Sequence, residues 1–320
     1  MQNKLDVNLI TKHFLDRAKS KPKISTAIVH PCSNDALQGA VDAAREGLIE
    51  PVLIGPRDKI MVIADEMKLD IRPYELADVP HSHAAAAKSI ELAQTGAVEA
   101  LMKGSLHTDE LMGEVVKHDS GLRTERRISH VFALATENYP KPFFITDAAV
   151  NIAPDLLAKR DIVQNAVDFL NGIREKPAIP KVAILSAVET VNPAMQSTVD
   201  AACLCKMADR GQIQGAILDG PLAYDNAISL DAAKIKGIKS SVSGDADIFV
   251  TPDLESGNML AKQLILLNGA SSAGIILGTR IPVILTSRSD SVQSRIDSCA
   301  LAVLMADAIR SGRLTYLKVE

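Results

Sequence analysis

Near the C-terminus the chain reads Ile281-Pro282-Val283-Ile284-Leu285-Thr286-Ser287-Arg288-Ser289-Asp290-Ser291-Val292. The apolar run over 281–285 is rich in β-branched residues and carries Pro282 where a proline can open a strand, which predicts a strand buried on both faces. A polar turn follows at once. From Val292 the apolar residues Val292, Ile296, Cys299, Ala300 and Val303 recur at three-and-four spacing, so a helix starts where Ser289, Asp290 and Ser291 are available as N-caps. The same alternation runs through the chain. An amphipathic helix over 1–20 precedes a strand over 25–29, a turn over 30–35, a helix ending at Gly47 and a strand over 51–54 closed by Gly55-Pro56. A helix over 81–95, a strand over 100–102 closed by Lys103-Gly104-Ser105, a helix over 108–116 and strands over 128–134 and 143–145 follow. After Asp147 the pattern predicts a helix over 154–172 broken near Arg160, a strand over 182–185, a helix over 195–210 and a strand over 216–218 ended by Asp219-Gly220-Pro221. Strands over 248–250 and 274–277 flank a helix over 255–267. Strands alternating with helices throughout predict an α/β fold with mainly parallel sheets.

At 320 residues the chain has room for about two domains of ~150 residues each. Hydrophobic residues at 47% and charged residues at 23% describe a folded chain, not a disordered one. A net charge of −4 without a basic stripe argues against nucleic acid as a partner, and 3% aromatics with no Trp leave few surfaces for base stacking. Cys32, Cys203, Cys205 and Cys299 are scattered with neither disulfide nor zinc spacing, so reduced thiols and a cytoplasmic location are expected. Asp6 and Asp16 interrupt the first helix, so it reads as amphipathic and not as a signal sequence, and no uncharged apolar run is long enough to span a membrane.

Polar residues gather just after the predicted strands: Lys103, Asp147, Asp219, Asp253 and the pair Ser287-Arg288. In parallel sheets the carboxyl ends of the strands form the ligand edge, where residues distant in sequence converge. The turn at Ser287-Arg288 adds hydroxyls, a guanidinium, free backbone N–H groups and the positive end of a helix dipole, a combination suited to a phosphate. A guanidinium fork grips two phosphate oxygens and stays charged, so Arg288 is the candidate anchor. The plainer reading of each aspartate after a strand is a cap on the next helix. His81-Ser82-His83 has the look of a metal pair, but alternate residues at a helix start face different sides, which favours capping. No G-x-G-x-x-G follows a strand, which counts against a dinucleotide-dependent dehydrogenase.

The segments Leu101-Met102-Lys103-Gly104, Ser129-His130-Val131-Phe132, Ile145-Thr146-Asp147-Ala148-Ala149-Val150-Asn151, Asp219-Gly220-Pro221, Pro252-Asp253-Leu254 with Gly257-Asn258, and Leu285 to Ser291 occur in order nearly end to end. As an ordered set they resemble the phosphate acetyltransferase and phosphate butyryltransferase family. The resemblance implies two αβα domains around an interdomain cleft, as in isocitrate and isopropylmalate dehydrogenases. Domain I would be 1–146 plus 291–320 and domain II 147–290. It further implies reversible acyl transfer between coenzyme A and orthophosphate, with acyl-CoA and phosphate as substrates, no metal and no cofactor, and a homo-oligomer such as a homodimer. Acetyl is the expected acyl group, with butyryl or another short chain as the alternative and a non-catalytic CoA-binding sensor as a remote one.

On that resemblance Ser287 matches the family's catalytic serine, which would donate toward the carbonyl or phosphate oxygen beside the anchor Arg288. Lys103, Ser129, His130, Asp147 and Asn151 fall in matching motifs and would bind substrate, although a histidine in an apolar strand is also an ordinary core residue. The acetyltransferase branch places its base aspartate seven positions after the serine, where this chain has Ser294. Asp290, on the same turn, is the preferred substitute, and Asp297, three residues beyond Ser294 on one helix face, is the other.

Overall fold

The computed structural model describes residues 11–287 and 290–314. It divides into two compact units, a terminal unit (Thr11–Glu125 and Ala273–Gly312) and a central unit (Arg126–Ser272). The expected domain boundaries at 146/147 and 290/291 fall elsewhere, and pairing explains why. The strands over Ser129–Ala135 and Phe143–Thr146 pair with each other, and the second pairs with the strand over Ile248–Val250, which keeps all three in the central unit. The strand over Val283–Ile284 pairs with the one over Ala100–Lys103, which keeps it in the terminal unit.

In the terminal unit Thr11–Leu15 winds as a π-helix into α1 (Asp16–Lys19). Then come β1 (Ile24–Val29), α2 (Asn34–Arg45), β2 (Ile49–Gly55), α3 (Arg57–Glu66), β3 (Glu75–Asp78), α4 (Ser82–Gln94), β4 (Ala100–Lys103) and α5 (Thr108–Val115). The central unit contributes β5 (Ser129–Ala135), β6 (Phe143–Thr146), α6 (Leu156–Ile173), β7 (Lys181–Leu185), α7 (Gln196–Asp209), β8 (Ile217–Leu222), α8 (Tyr224–Ile228), α9 (Leu230–Ile235), β9 (Ile248–Val250) and α10 (Leu254–Leu266). The chain then forms β10 (Ser271–Leu277), β11 (Val283–Ile284) and α11 (Val292–Arg310).

Terminal-unit strands lie in the order β3-β2-β1-β4-β11-β10, all parallel except that β10 runs against β11. Pro51 is tolerated in β2 because β3 joins only from Val52 onward, so no ladder bond is asked of it on that side. Central-unit strands lie in the order β5-β6-β9-β7-β8, again parallel but for β5 against β6. Its core joins Phe143, Phe249, Tyr139 and Leu222 with neighbouring apolar residues. The α/β class with mainly parallel sheets is thus present in each unit.

Two local expectations are corrected, and two further elements are added. Helix α6 is unbroken, because Lys159 turns inward to Asp200 and Arg160 pairs with Asp161 at the surface, so the polar run is absorbed without a break. Strand β8 continues through Asp219-Gly220-Pro221 to Leu222, since it is the outermost strand of its sheet and a proline there interrupts no second ladder. The Gly55-Pro56 turn leads into α3 and β3, which periodicity does not reveal: α3 buries only Ile60 and Ala64, and β3 is a half-exposed edge strand.

Candidate active site

Strands β1, β4 and β11 lie side by side and parallel, so their carboxyl ends present His30, Lys103-Gly104-Ser105 and Leu285-Thr286-Ser287 along one edge of the terminal unit. The approach of β1 to β4 is tight there. A Cβ on Gly104 would sit 2.5 Å from the carbonyl oxygens of both Val29 and His30, so only glycine fits. The Gly104 N–H donates to the Val29 carbonyl (2.9 Å) and the Ser105 N–H to the His30 carbonyl (2.9 Å). His30 takes a left-handed backbone (φ 57°) with its Nδ1 3.4 Å from the Ser105 carbonyl. Burial pushes the His30 imidazole below its usual value, helped by Lys59 and His81 and opposed by the Ser105 carbonyl and Glu110.

Lys103 is buried, and its Nζ donates to the Thr286 carbonyl (3.4 Å). Beyond Thr286 the chain leaves the sheet. Ser287 is exposed, its N–H donates to Asp290 Oδ2 (2.7 Å), and its carbonyl accepts from the Asp290 N–H (3.2 Å). Ser291 then caps α11, its Oγ accepting from the Ser294 N–H (3.1 Å). The predicted strand, turn and helix are all present, although β11 is only two residues long. Arg288 and Ser289 lie outside the described residues.

One residue of this region carries no sequence signal. Arg295, on the first turn of α11, is 1% exposed, and it donates from Nη1 to Thr286 Oγ1 (2.7 Å) and from Nη2 to the Ser287 carbonyl (2.9 Å). Burial lowers its guanidinium from the usual value, against the pull of Asp290 and Asp35. Of the two candidate bases, Asp290 sits on the turn, whereas Asp297 is 1% exposed and accepts from Gln293 (3.0 Å). An exposed serine thus stands on a turn backed by a buried ammonium and a buried guanidinium, at the N-terminus of a long helix. That arrangement attracts an anion and offers it a hydroxyl.

The remaining sequence candidates lie in the central unit, where Ser129, Asp147 and Asn151 share one hydrogen-bonded network. Asp147 Oδ1 accepts from the N–H groups of Ala149 (3.0 Å) and Val150 (3.2 Å), and Oδ2 accepts from the N–H and Nδ2 of Asn151. Burial pushes the Asp147 carboxyl up, against the pull of those donors. Asn151 also donates to the Ile128 carbonyl (2.9 Å) and accepts from Arg127 Nε (2.7 Å). Asn165 Nδ2 ties Ser129 Oγ (3.1 Å) to the Arg127 carbonyl (2.8 Å). His130 is fully buried, its ring edge-on to Phe132 at 4.4 Å. The Gly257-Asn258 motif meets the same turn: Asn258 donates to the Ala148 carbonyl (3.0 Å), and a Cβ on Gly257 would lie 2.6 Å from the Asp147 carbonyl oxygen.

A recess of about 1010 Å³ opens at the carboxyl ends of β7 and β9, lined by apolar residues such as Leu156, Leu185, Met195 and Leu260. In its wall Lys159 Nζ pairs with Asp200 Oδ2 at 2.6 Å, both side chains below 10% exposed. This pair escaped sequence reasoning because a lysine and an aspartate on different helices carry no spacing signal. His81, by contrast, takes the capping role weighed for it, its Nδ1 accepting from the Ala84 N–H (3.1 Å).

Parallel α/β units and a serine turn that attracts an anion suit an enzyme acting on a phosphate-bearing substrate, and comparison with known proteins gives its class as acyltransferase. The family described as "Phosphate acetyl/butaryl transferase" matches residues 75–303, and the chain belongs to it. It is 58% identical over 303 residues to a Rickettsia felis protein named phosphate acetyltransferase, covering 94% of this chain and 86% of that one. It is 41% identical over 290 residues to the Clostridium acetobutylicum phosphate butyryltransferase, covering 91% and 96%. Among solved structures, a branched-chain phosphotransacylase from Enterococcus faecalis matches with a TM-score of 0.76 at 31% identity, over 88% of this chain and 99% of that one.

Proposed function

We propose that the protein is a phosphate acetyltransferase that interconverts acetyl-CoA plus phosphate with acetyl phosphate plus CoA. The observation that carries this reading is the exposed Ser287 on a turn backed by buried cations. The higher identity to relatives named for acetyl transfer supports acetyl over butyryl. A phosphate oxygen attacks the thioester carbonyl carbon, the C–S bond breaks, and the CoA sulfur leaves as thiolate. A thiol of pKa ~8.5 leaves without strong acid assistance, so positioning and electrostatics carry most of the acceleration. Ser287 donates to the oxygen where charge develops, and Arg288 anchors the phosphate. In the reverse direction Asp290 is the proposed base that takes the CoA thiol proton as the sulfur attacks the acetyl phosphate carbonyl and phosphate leaves, and in the direction written its conjugate acid returns that proton to the thiolate; it is preferred because it lies on the turn while Asp297 is enclosed. Lys103 contributes positive charge from behind the turn. In the central unit, Asp147 and Asn151 hold the turn over 147–151 in shape, and with Ser129 and His130 they support substrate binding. Neither metal nor cofactor takes part.

The test is CoA release from acetyl-CoA and butyryl-CoA, with and without phosphate and with chelator. Turnover is expected to require phosphate, to survive the chelator and to give the higher kcat/KM with acetyl-CoA. A preference for butyryl-CoA would reassign the substrate, and CoA binding without turnover would leave a sensor. In the same assay Arg288→Ala is expected to lose about 10²-fold or more in kcat/KM. A loss below threefold would remove Arg288 from the site.

We further propose a cytoplasmic homodimer. The four cysteines are unbonded, as in a reducing compartment, and Ile152, Leu157, Val191 and Met259, close in sequence to residues lining the central-unit recess, expose apolar surface suited to a second copy.

A further inference from the structure

Arg295 is the largest fully buried side chain among the described residues, and it forms no ion pair with any of them. Its Nε has no hydrogen-bond partner. A buried cation without a carboxylate partner opposes folding, and an apolar residue would fill the same place in α11 with less strain on the core. The chain nevertheless makes room for it. On α2 a Cβ at Gly39 would lie 2.7 Å from Arg295 Cδ and 3.1 Å from its Cβ, so the glycine is what admits the arginine stem.

The hydrogen bonds of the guanidinium are confined to two neighbouring residues. Its prongs hold the Thr286 hydroxyl and the Ser287 carbonyl, while Asp290 holds the Ser287 N–H from the other side. Both backbone polar groups of the exposed serine are therefore gripped by charged side chains. The direction of the Ser287 Cα–Cβ bond, and with it the arc its hydroxyl sweeps, follows from those two grips.

We propose that Arg295 is a positioning residue for acyl transfer: it fixes the Ser287 peptide so that the serine hydroxyl points at the reacting carbonyl, without itself touching substrate. This rests on the reading of Ser287 as the hydroxyl donor. An ammonium cannot reproduce a two-pronged grip, so Arg295→Lys keeps the charge and loses the geometry.

The experiment compares kcat, KM for acetyl-CoA and melting temperature in Arg295→Lys, Arg295→Met, Thr286→Val and Ser287→Ala, and in the double variant Ser287→Ala/Arg295→Lys. Arg295→Lys and Arg295→Met are expected to lose at least tenfold in kcat with KM within threefold, because the defect lies in a transition-state contact. Arg295→Met is expected to melt no lower than the parent, so that activity and stability part company. Thr286→Val, which removes one acceptor and retains the shape, should lose about three- to tenfold. The double variant should be no slower than Ser287→Ala alone.

Three results would overturn the proposal. Loss of kcat that tracks loss of melting temperature across the arginine and threonine variants would make Arg295 merely structural. Arg295→Lys within threefold of the parent would remove it from catalysis. An additive loss in the double variant would mean that it acts elsewhere than through the serine. If Ser287→Ala alone stays within threefold of the parent, the reading of the serine fails first, and this outcome is distinguishable because it does not involve Arg295.

Discussion

His30 holds a left-handed backbone at the end of β1, a conformation that asparagine adopts more readily than most side chains. Its imidazole is partly buried against Ser105, with Lys59, His81 and Glu110 as the titratable groups around it, and burial keeps it below the unperturbed value of 6.5. In the unfolded chain it protonates near that value, and in the folded chain only at lower pH. Between the two the unfolded state binds more protons, so stability falls as the pH falls below about 6.5 and is fully present above it. His30→Asn keeps the backbone conformation and removes the titration. The parent is expected to lose more melting temperature than the variant between about pH 7.5 and 5.5, and equal losses would assign the acid sensitivity to other groups. Neither His30 nor Arg295 was legible in the chain. A histidine in a turn and an arginine three residues into an apolar-striped helix both read as surface residues, and only the tertiary neighbours Gly104 and Gly39 reveal otherwise.

Helix α11 shows what pattern reading captures and what it misses. Its start was legible, because serines beside an apolar stripe are a cap signal with a mechanism, and Ser291 is the residue that caps. Its surroundings were not, because the stripe from Val292 to Val303 promises one buried face while the helix is buried nearly all round, Ser294, Asp297 and Ser298 included. The apolar strands β1 and β4 and the longer helices α4 and α10 fell within a residue or two of expectation. The short helices α8 and α9 went unseen, since elements of five and six residues give periodicity too few positions to register. For the cap itself, Ser291→Ala should cost about 1 kcal/mol and lower the melting temperature by roughly 2 °C, with Ser291→Asp recovering most of it. Thermal melting checks both, and an unchanged alanine variant would show that tertiary packing alone holds the start of α11.

At the scale of the whole molecule, one group of exposed apolar residues bears on assembly more than on catalysis. Ile152, Leu157, Val191 and Met259 are each more than half exposed, and each is adjacent in sequence to, or within the same loop as, residues lining the central-unit recess. Single exposed apolar residues are ordinary, but several of them in segments that also line one recess mark a candidate contact surface. In the proposed homodimer a second copy of the chain would cover it. Light scattering after size exclusion should then give twice the 34.2 kDa chain mass. Leu157→Glu combined with Met259→Glu should shift the mass to that of one chain, because charges buried in an apolar contact without partners oppose association. The parent's melting temperature should rise with protein concentration and the variant's should not, since only a dimer links folding to mass action. A parent that runs as a single chain at all concentrations would dismiss the dimer and leave the recess as open surface.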